Sequence, residues 1–67
     1  MTLKEVLRRI RIGNRIEIYS EQYQTTVFKG SSDIIDHSVS KLTLSPYLDR
    51  EVWCLSAVRD TIIIYCK

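Results

Sequence analysis

The run Thr61-Ile62-Ile63-Ile64-Tyr65-Cys66 constrains the fold more than any other segment. It has the length of a strand, and its three isoleucines are apolar whichever way alternate side chains point. A strand with two apolar faces belongs in the middle of a sheet. Val52 to Val58 precedes it across Arg59-Asp60, so the two segments form a hairpin. The register depends on loop length. A two-residue loop sets Cys54 opposite Tyr65 and groups Trp53, Leu55 and Ala57 with Ile62, Ile64 and Cys66. A three-residue loop sets Cys54 opposite Cys66. Arg-Asp lacks the glycine or asparagine favoured in two-residue turns, so both registers stay open.

A second hairpin lies earlier. Arg15-Ile16-Glu17-Ile18-Tyr19 alternates with period two, as a strand with one buried face does. Ser20 to Gln24 is polar and reads as a turn. Thr25-Thr26-Val27-Phe28-Lys29 is β-branched and aromatic, and Gly30 ends it.

The amino-terminal segment is helical. Thr2 and Glu5 have the spacing of a capping box, in which the Thr oxygen accepts from the N–H three residues on and the Glu carboxylate reaches back. Leu3, Val6, Leu7 and Ile10 recur at helical spacing as one apolar stripe. Lys4, Arg8 and Arg11 share the other side. Gly13-Asn14 tolerates the left-handed backbone of a helix terminus, which predicts a helix from Thr2 to about Arg11.

Residues 31–49 are the least regular. Ser32 or Asp33 caps a short turn burying Ile34 and Ile35. Lys41-Leu42-Thr43-Leu44 reads as a short extended piece. Ser45-Pro46-Tyr47-Leu48 reads as one helical turn, with Ser at the cap and Pro at the first helical position. The whole chain, residues 1–67, is too short for more than one domain. The predicted fold class is α+β: an N-terminal amphipathic helix packed on a four-stranded antiparallel sheet, with one or two short helical turns between the hairpins. One helix covers one face. The other face keeps apolar groups that nothing else in the chain covers, which suggests a partner surface or a homodimer.

Chemistry is conspicuous by what is missing. The single histidine, His37, lies in the irregular segment, where a solvated loop side chain explains it. Asp33 and Asp36 are the closest carboxylate pair, and a turn cap plus a solvated acid accounts for them. Gly13 and Gly30 are the only glycines, so there is no phosphate-cradling loop. Cys54 and Cys66 have no C-x-x-C partner and read as free, buried thiols in a reducing cytosol. No catalytic, cofactor or metal residues are assigned, and an enzyme is not expected. No apolar run approaches the ~20 residues of a membrane span. The N-terminus lacks a secretory pattern, so a cytoplasmic location is expected.

The net charge is +2, unevenly placed. Residues 1–15 carry Lys4, Arg8, Arg9, Arg11 and Arg15 against Glu5, a net +4, leaving −2 for the remainder. The arginines suit phosphate contacts or an acidic protein surface. Against nucleic acid, the isoelectric point near 8.7 is below the ~9 common for binding domains, and no helix-turn-helix, zinc-finger or RNP aromatic pattern is visible. Tyr19, Tyr23 and Phe28 offer stacking surfaces, although packing has first claim on them. Trp53, between Val52 and Leu55, reads as a core residue, with exposure at a partner surface as the alternative.

Taken together, the opening T-L-K-E-V-L, the strand I-E-I-Y, the V-F-K-G segment, Y-L-D-R-E-V and the final I-I-I-Y have a family likeness. The chain resembles short uncharacterised phage and mobile-element proteins of Gram-positive bacteria, outside residues 31–45. The resemblance implies an accessory protein acting on host machinery within the bacterial cell. Anti-CRISPR proteins, which inhibit RNA-guided nucleases, come from this size class and setting. It therefore implies an inhibitor of a type II nuclease that acts by stoichiometric binding to the nuclease or its guide-RNA complex. Many such inhibitors are acidic DNA mimics. This chain is net positive, so local contacts are expected instead: Asp33, Asp36, Asp49 and Glu51 toward a basic channel, or Arg8, Arg9, Arg11 and Arg15 toward an acidic surface or nucleic acid. A nucleic-acid-binding accessory protein using the basic helix, and a homodimeric structural or assembly protein of a phage, are the alternatives.

Overall fold

The computed structural model describes residues 1–10, 14–31 and 42–67. In chain order the elements are helix α1 (Leu3–Arg9), strands β1 (Arg15–Ser20) and β2 (Thr25–Ser31), a 3-10 turn (Ser45–Tyr47), and strands β3 (Val52–Val58) and β4 (Thr61–Cys66). The four strands form one sheet in the order β2-β1-β4-β3.

The fold is α+β, as expected, but the sheet is mixed rather than antiparallel throughout. Each hairpin is antiparallel internally, whereas β1 and β4 pair in parallel, Ile16 with Ile62 and Ile18 with Ile64. The isoleucine strand does lie centrally. Its direction relative to β1 is set by the long crossover from β2 to β3, which delivers β3 to the far side of β4.

The core follows from period two. Ile16, Ile18 and Ser20 of β1 and Ile64 and Cys66 of β4 point to one face and are fully buried. Leu3 and Val6 of α1 and Leu44 of the crossover close over them. Ser20 is the one buried polar residue among the described residues, and its Oγ accepts the Tyr23 N–H across the β1–β2 turn.

Helix α1 starts where the capping box places it. The Glu5 N–H donates to Thr2 Oγ1, and Glu5 Oε1 accepts the Thr2 N–H. Tertiary partners satisfy the next donors. Leu3 N–H bonds the Arg50 carbonyl and Lys4 N–H the Leu48 carbonyl. These are N–H groups that a helix start otherwise leaves unpaired. The helix ends two residues earlier than the spacing predicts. Ile10 adopts an extended backbone (φ −84°, ψ 134°) that keeps its side chain against the core. Gly13 lies outside the described residues.

The crossover departs from expectation in two respects. Residues 42–44 are helical rather than extended, which turns Leu44 into the core at 1% exposure. In the following 3-10 turn Leu44, not Ser45, is the cap residue, and no side chain caps it. The expected turn at Ser32–Asp33, with Ile34 and Ile35, lies outside the described residues.

In the β3–β4 hairpin the two-residue loop prevails. Val58 pairs with Thr61, Leu55 with Ile64 and Cys54 with Tyr65. Arg59 supplies the required turn geometry by taking a positive φ of 58°. A bulge between Val52 and Cys54 then breaks the alternation at Trp53.

Candidate interaction surface

Helix α1 and residues 44–48 both cover the face that carries Ile16, Ile18 and Ile64. Strand alternation sends Arg15, Glu17 and Tyr19 of β1 to the other face. There they meet Thr61, Ile63 and Tyr65 of β4, with Lys29 of β2 and Cys54, Ser56 and Val58 of β3. No described element covers this face.

Three aromatic rings lie across it in a row. Tyr19 meets Tyr65 edge to face with centroids 5.8 Å apart, and Tyr65 meets Trp53 at 5.9 Å with the planes tilted. The bulge explains how Trp53 reaches this row. Without it, continued alternation would point Trp53 to the face of Leu55 and Ile64. The extra residue places Trp53 and Cys54 together opposite Tyr65. Trp53 is consequently 53% exposed rather than a core side chain.

Next to the rings, Lys29 Nζ lies 3.7 Å from Glu17 Oε1, a cross-strand ion pair. At the turn end of the face, Glu17, Val58, Arg59, Asp60, Thr61 and Ile63 line a shallow depression. The depression is open to solvent rather than enclosed, and Glu17 of the ion pair forms part of its wall. Among the described residues no three His, Cys, Asp or Glu side chains converge as metal ligands.

The basic cluster of the sequence is divided by the fold. Arg8 and Arg9 are exposed in the last turn of α1, on the helix layer. Arg15 is exposed on the opposite face of the sheet, and Arg11 lies outside the described residues. Among the acidic candidates, Asp33 and Asp36 lie outside the described residues, as does His37. Asp49 is exposed in the turn before β3. Glu51 accepts from the Met1 ammonium at 2.7 Å while its side chain stays 58% exposed.

The three predicted stacking residues also part company. Tyr19 joins the ring row, Phe28 packs against the core, and Tyr23 is exposed beside Tyr47. Sequence reasoning missed Tyr65 as the centre of the row. Its period-two relation to Ile63 and its pairing with Tyr19 were the available signal, but the pairing needed the β1–β4 register.

The cysteines separate across the sheet. Cys66 is buried in the core, where its Sγ lies 3.4 Å from the Tyr19 carbonyl and burial pushes its thiol pKa up. Cys54 is only half-buried, on the uncovered face, and both are free. No helix among the described residues is long and apolar enough to cross a membrane.

No protein-family model, no curated protein and no solved structure matches this chain.

Proposed function

We propose that the chain is a non-enzymatic protein that binds a protein partner stoichiometrically through the uncovered face of its sheet. The observation that carries this reading is the Tyr19–Tyr65–Trp53 row, with more than half of Trp53 open to solvent. Tyr and Trp supply large apolar area at small entropic cost, and they dominate binding energy at protein interfaces. The Glu17–Lys29 pair and the Arg59–Asp60 turn form a polar rim around it, which suits recognition of one partner over another.

The partner class comes from the resemblance to phage and mobile-element proteins. The proposed partner is a host defence nuclease of the type II RNA-guided class, met inside the bacterial cell. Inhibition proceeds by occupying a protein surface and not by mimicking DNA, in keeping with the net +2 charge.

The test is target-DNA cleavage by purified nucleases at molar excess of this protein. Inhibition, with loss of both inhibition and co-elution in a folded Trp53→Ala variant, is the expected result. Unchanged cleavage across type II nucleases with no co-elution removes the nuclease reading. The nucleic-acid alternative draws on the basic N-terminal helix, where Arg8 and Arg9 are exposed. It requires a gel shift at low salt that weakens as salt rises.

A further inference from the structure

Strand β3 ends the sheet, and from Cys54 to Val58 no described strand lies beyond it. In a two-residue hairpin the pair flanking the turn bonds inward, so Cys54, Ser56 and Val58 direct their backbone groups to β4. Leu55 and Ala57 then turn their N–H and C=O outward. Just before this stretch the outer edge is already occupied: Val52 N–H bonds the Met1 carbonyl at 2.7 Å, and Thr2 bridges to Glu51. The open edge therefore runs over five residues only.

Folded proteins protect such edges with charge or with bulges. The other edge, β2, has both: Lys29 lies within it, and a bulge interrupts its pairing with β1. β3 has a bulge at Trp53, but Val52–Val58 carries no charged side chain at all. Leu55 and Val58 are each more than half exposed beside the open edge, on opposite faces of the sheet. Charges flank the strand instead, Arg50 and Glu51 at one end and Arg59 and Asp60 at the other.

We propose that a second copy of this chain pairs antiparallel along Cys54–Val58, with the twofold axis at Ser56, joining two sheets into one of eight strands. Only a strand satisfies alternating outward donors and acceptors, and the flanking charges select an antiparallel copy. Antiparallel pairing brings the Arg59–Asp60 turn of the second copy to the Arg50–Glu51 end of the first. With the twofold at Ser56, Arg59 of the second copy falls opposite Trp53 and Asp60 opposite Val52, so the mixed-charge turn of each copy lies beside the mixed-charge Arg50–Glu51 end of the other, twice over by symmetry. Parallel pairing would set each of these charges beside its own kind and would leave the assembly unclosed. Pairing about Ser56 also sets Leu55 opposite Ala57 of the second copy, large against small. The uncovered faces of the two sheets become continuous, so the proposal stands independently of what binds there.

The test begins with mass in solution. Sedimentation of the wild-type chain should show a mass rising with concentration toward twice the 7.9 kDa protomer. Ala57→Pro removes one outward donor and blocks the edge while sparing the bonds to β4. It should weaken dimerisation about tenfold or more with an unchanged circular dichroism spectrum. Leu55→Lys serves the same purpose should the proline variant fail to fold. Register is read by cross-linking. In a Cys54→Ala background, Ser56→Cys should oxidise to a symmetric disulfide dimer, because a directly opposed non-bonded pair has a suitable Cα separation. Thr26→Cys on the other edge should not. A protomer mass maintained into the millimolar range overturns the proposal, including the case in which a foreign strand occupies the edge. So does a dimer that survives both edge variants, or one cross-linked through Thr26→Cys.

Discussion

Thr2 and Glu5 hold each other across the first turn of the helix, the Thr2 Oγ1 accepting the Glu5 N–H at 3.3 Å and Glu5 Oε1 accepting the Thr2 N–H at 3.1 Å. The reciprocal bonds have a titration signature. The bonds from Thr2 hold the Glu5 carboxyl below its ordinary value of 4.5. A depressed carboxyl contributes stability above its unfolded pKa, and that contribution disappears as pH falls through the folded pKa. Thr2→Ala removes the hydroxyl but keeps the backbone N–H that is the larger cause, so the Glu5 titration, followed by NMR, should move only part of the way back toward its ordinary value. The substitution should also cost about 1 kcal/mol at neutral pH through loss of the cap. A Glu5 titration that returns fully to its ordinary value in this variant would show that the hydroxyl alone, and not the backbone N–H, holds the carboxyl.

Arg59 occupies the left-handed region at φ 58° in the β3–β4 turn, where a side chain is sterically disfavoured. Arg59→Gly should relieve about 1–2 kcal/mol of that strain, more than the ~0.4–1 kcal/mol lost to the greater unfolded-state entropy of glycine, for a net stabilisation of up to about 1 kcal/mol. In a domain of this size that corresponds to roughly 4–8 °C in Tm. A melting temperature that falls would indicate that the Arg59 side chain makes a stabilising contact worth more than the backbone relief.

The two thiols should differ sharply in reactivity. Cys54 is half-buried on the uncovered face, whereas Cys66 has no exposed surface and a raised pKa. A thiol-specific chromogenic reagent should modify Cys54 in the folded protein and Cys66 only on unfolding. The sign of the pH effect follows. The folded Cys66 resists ionisation, so its contribution is constant below the ordinary thiol value of 9.0 and is lost as pH rises above it. Two equally fast thiols would contradict the burial of Cys66.

Leu44 tests the crossover's part in the core. It is buried at 1% exposure against residues of α1, β1 and β4. Leu44→Ala should cost about 2–5 kcal/mol, comparable with the ~3–5 kcal/mol that a single core of this size supplies. The variant should be largely unfolded by circular dichroism at 37 °C. Leu42→Ala, two residues away but 77% exposed, should melt with the wild type.

Local elements were legible because their causes are local. The capping box, the apolar stripe of Leu3 and Val6, and the alternation of Ile16 and Ile18 each act within a few residues, and all three are where the spacing puts them. The end of α1 was not, since Ile10 leaves the helix to stay against a core assembled from distant strands. Residues 42–44 escaped for the same reason: Lys41-Leu42-Thr43-Leu44 alternates polar and apolar residues as a strand does, but burying Leu44 requires a helical turn.

Of the candidate surface, the sequence predicts a sheet face with some apolar groups that nothing else covers, but not which aromatics occupy it. Trp53 changes faces through one bulge, and a bulge depends on the pairing partner as much as on the bulged strand. Arg8 and Arg15 are close in sequence and lie on different layers, because a helix and the strand after it pack against each other with opposite surfaces outward.

The chain's residues alone determine two hairpins, one capped helix and a central isoleucine strand, since backbone propensity and side-chain periodicity need no distant partner. Tertiary structure alone decides that β1 and β4 run parallel, that Trp53 joins Tyr19 and Tyr65, and that no described strand pairs with the outer edge of β3. Those outcomes depend on how two hairpins are placed side by side. That placement is settled by burying Ile16, Ile18, Ile64 and Cys66 together beneath Leu3, Val6 and Leu44, contacts that exist only after the chain has closed on itself.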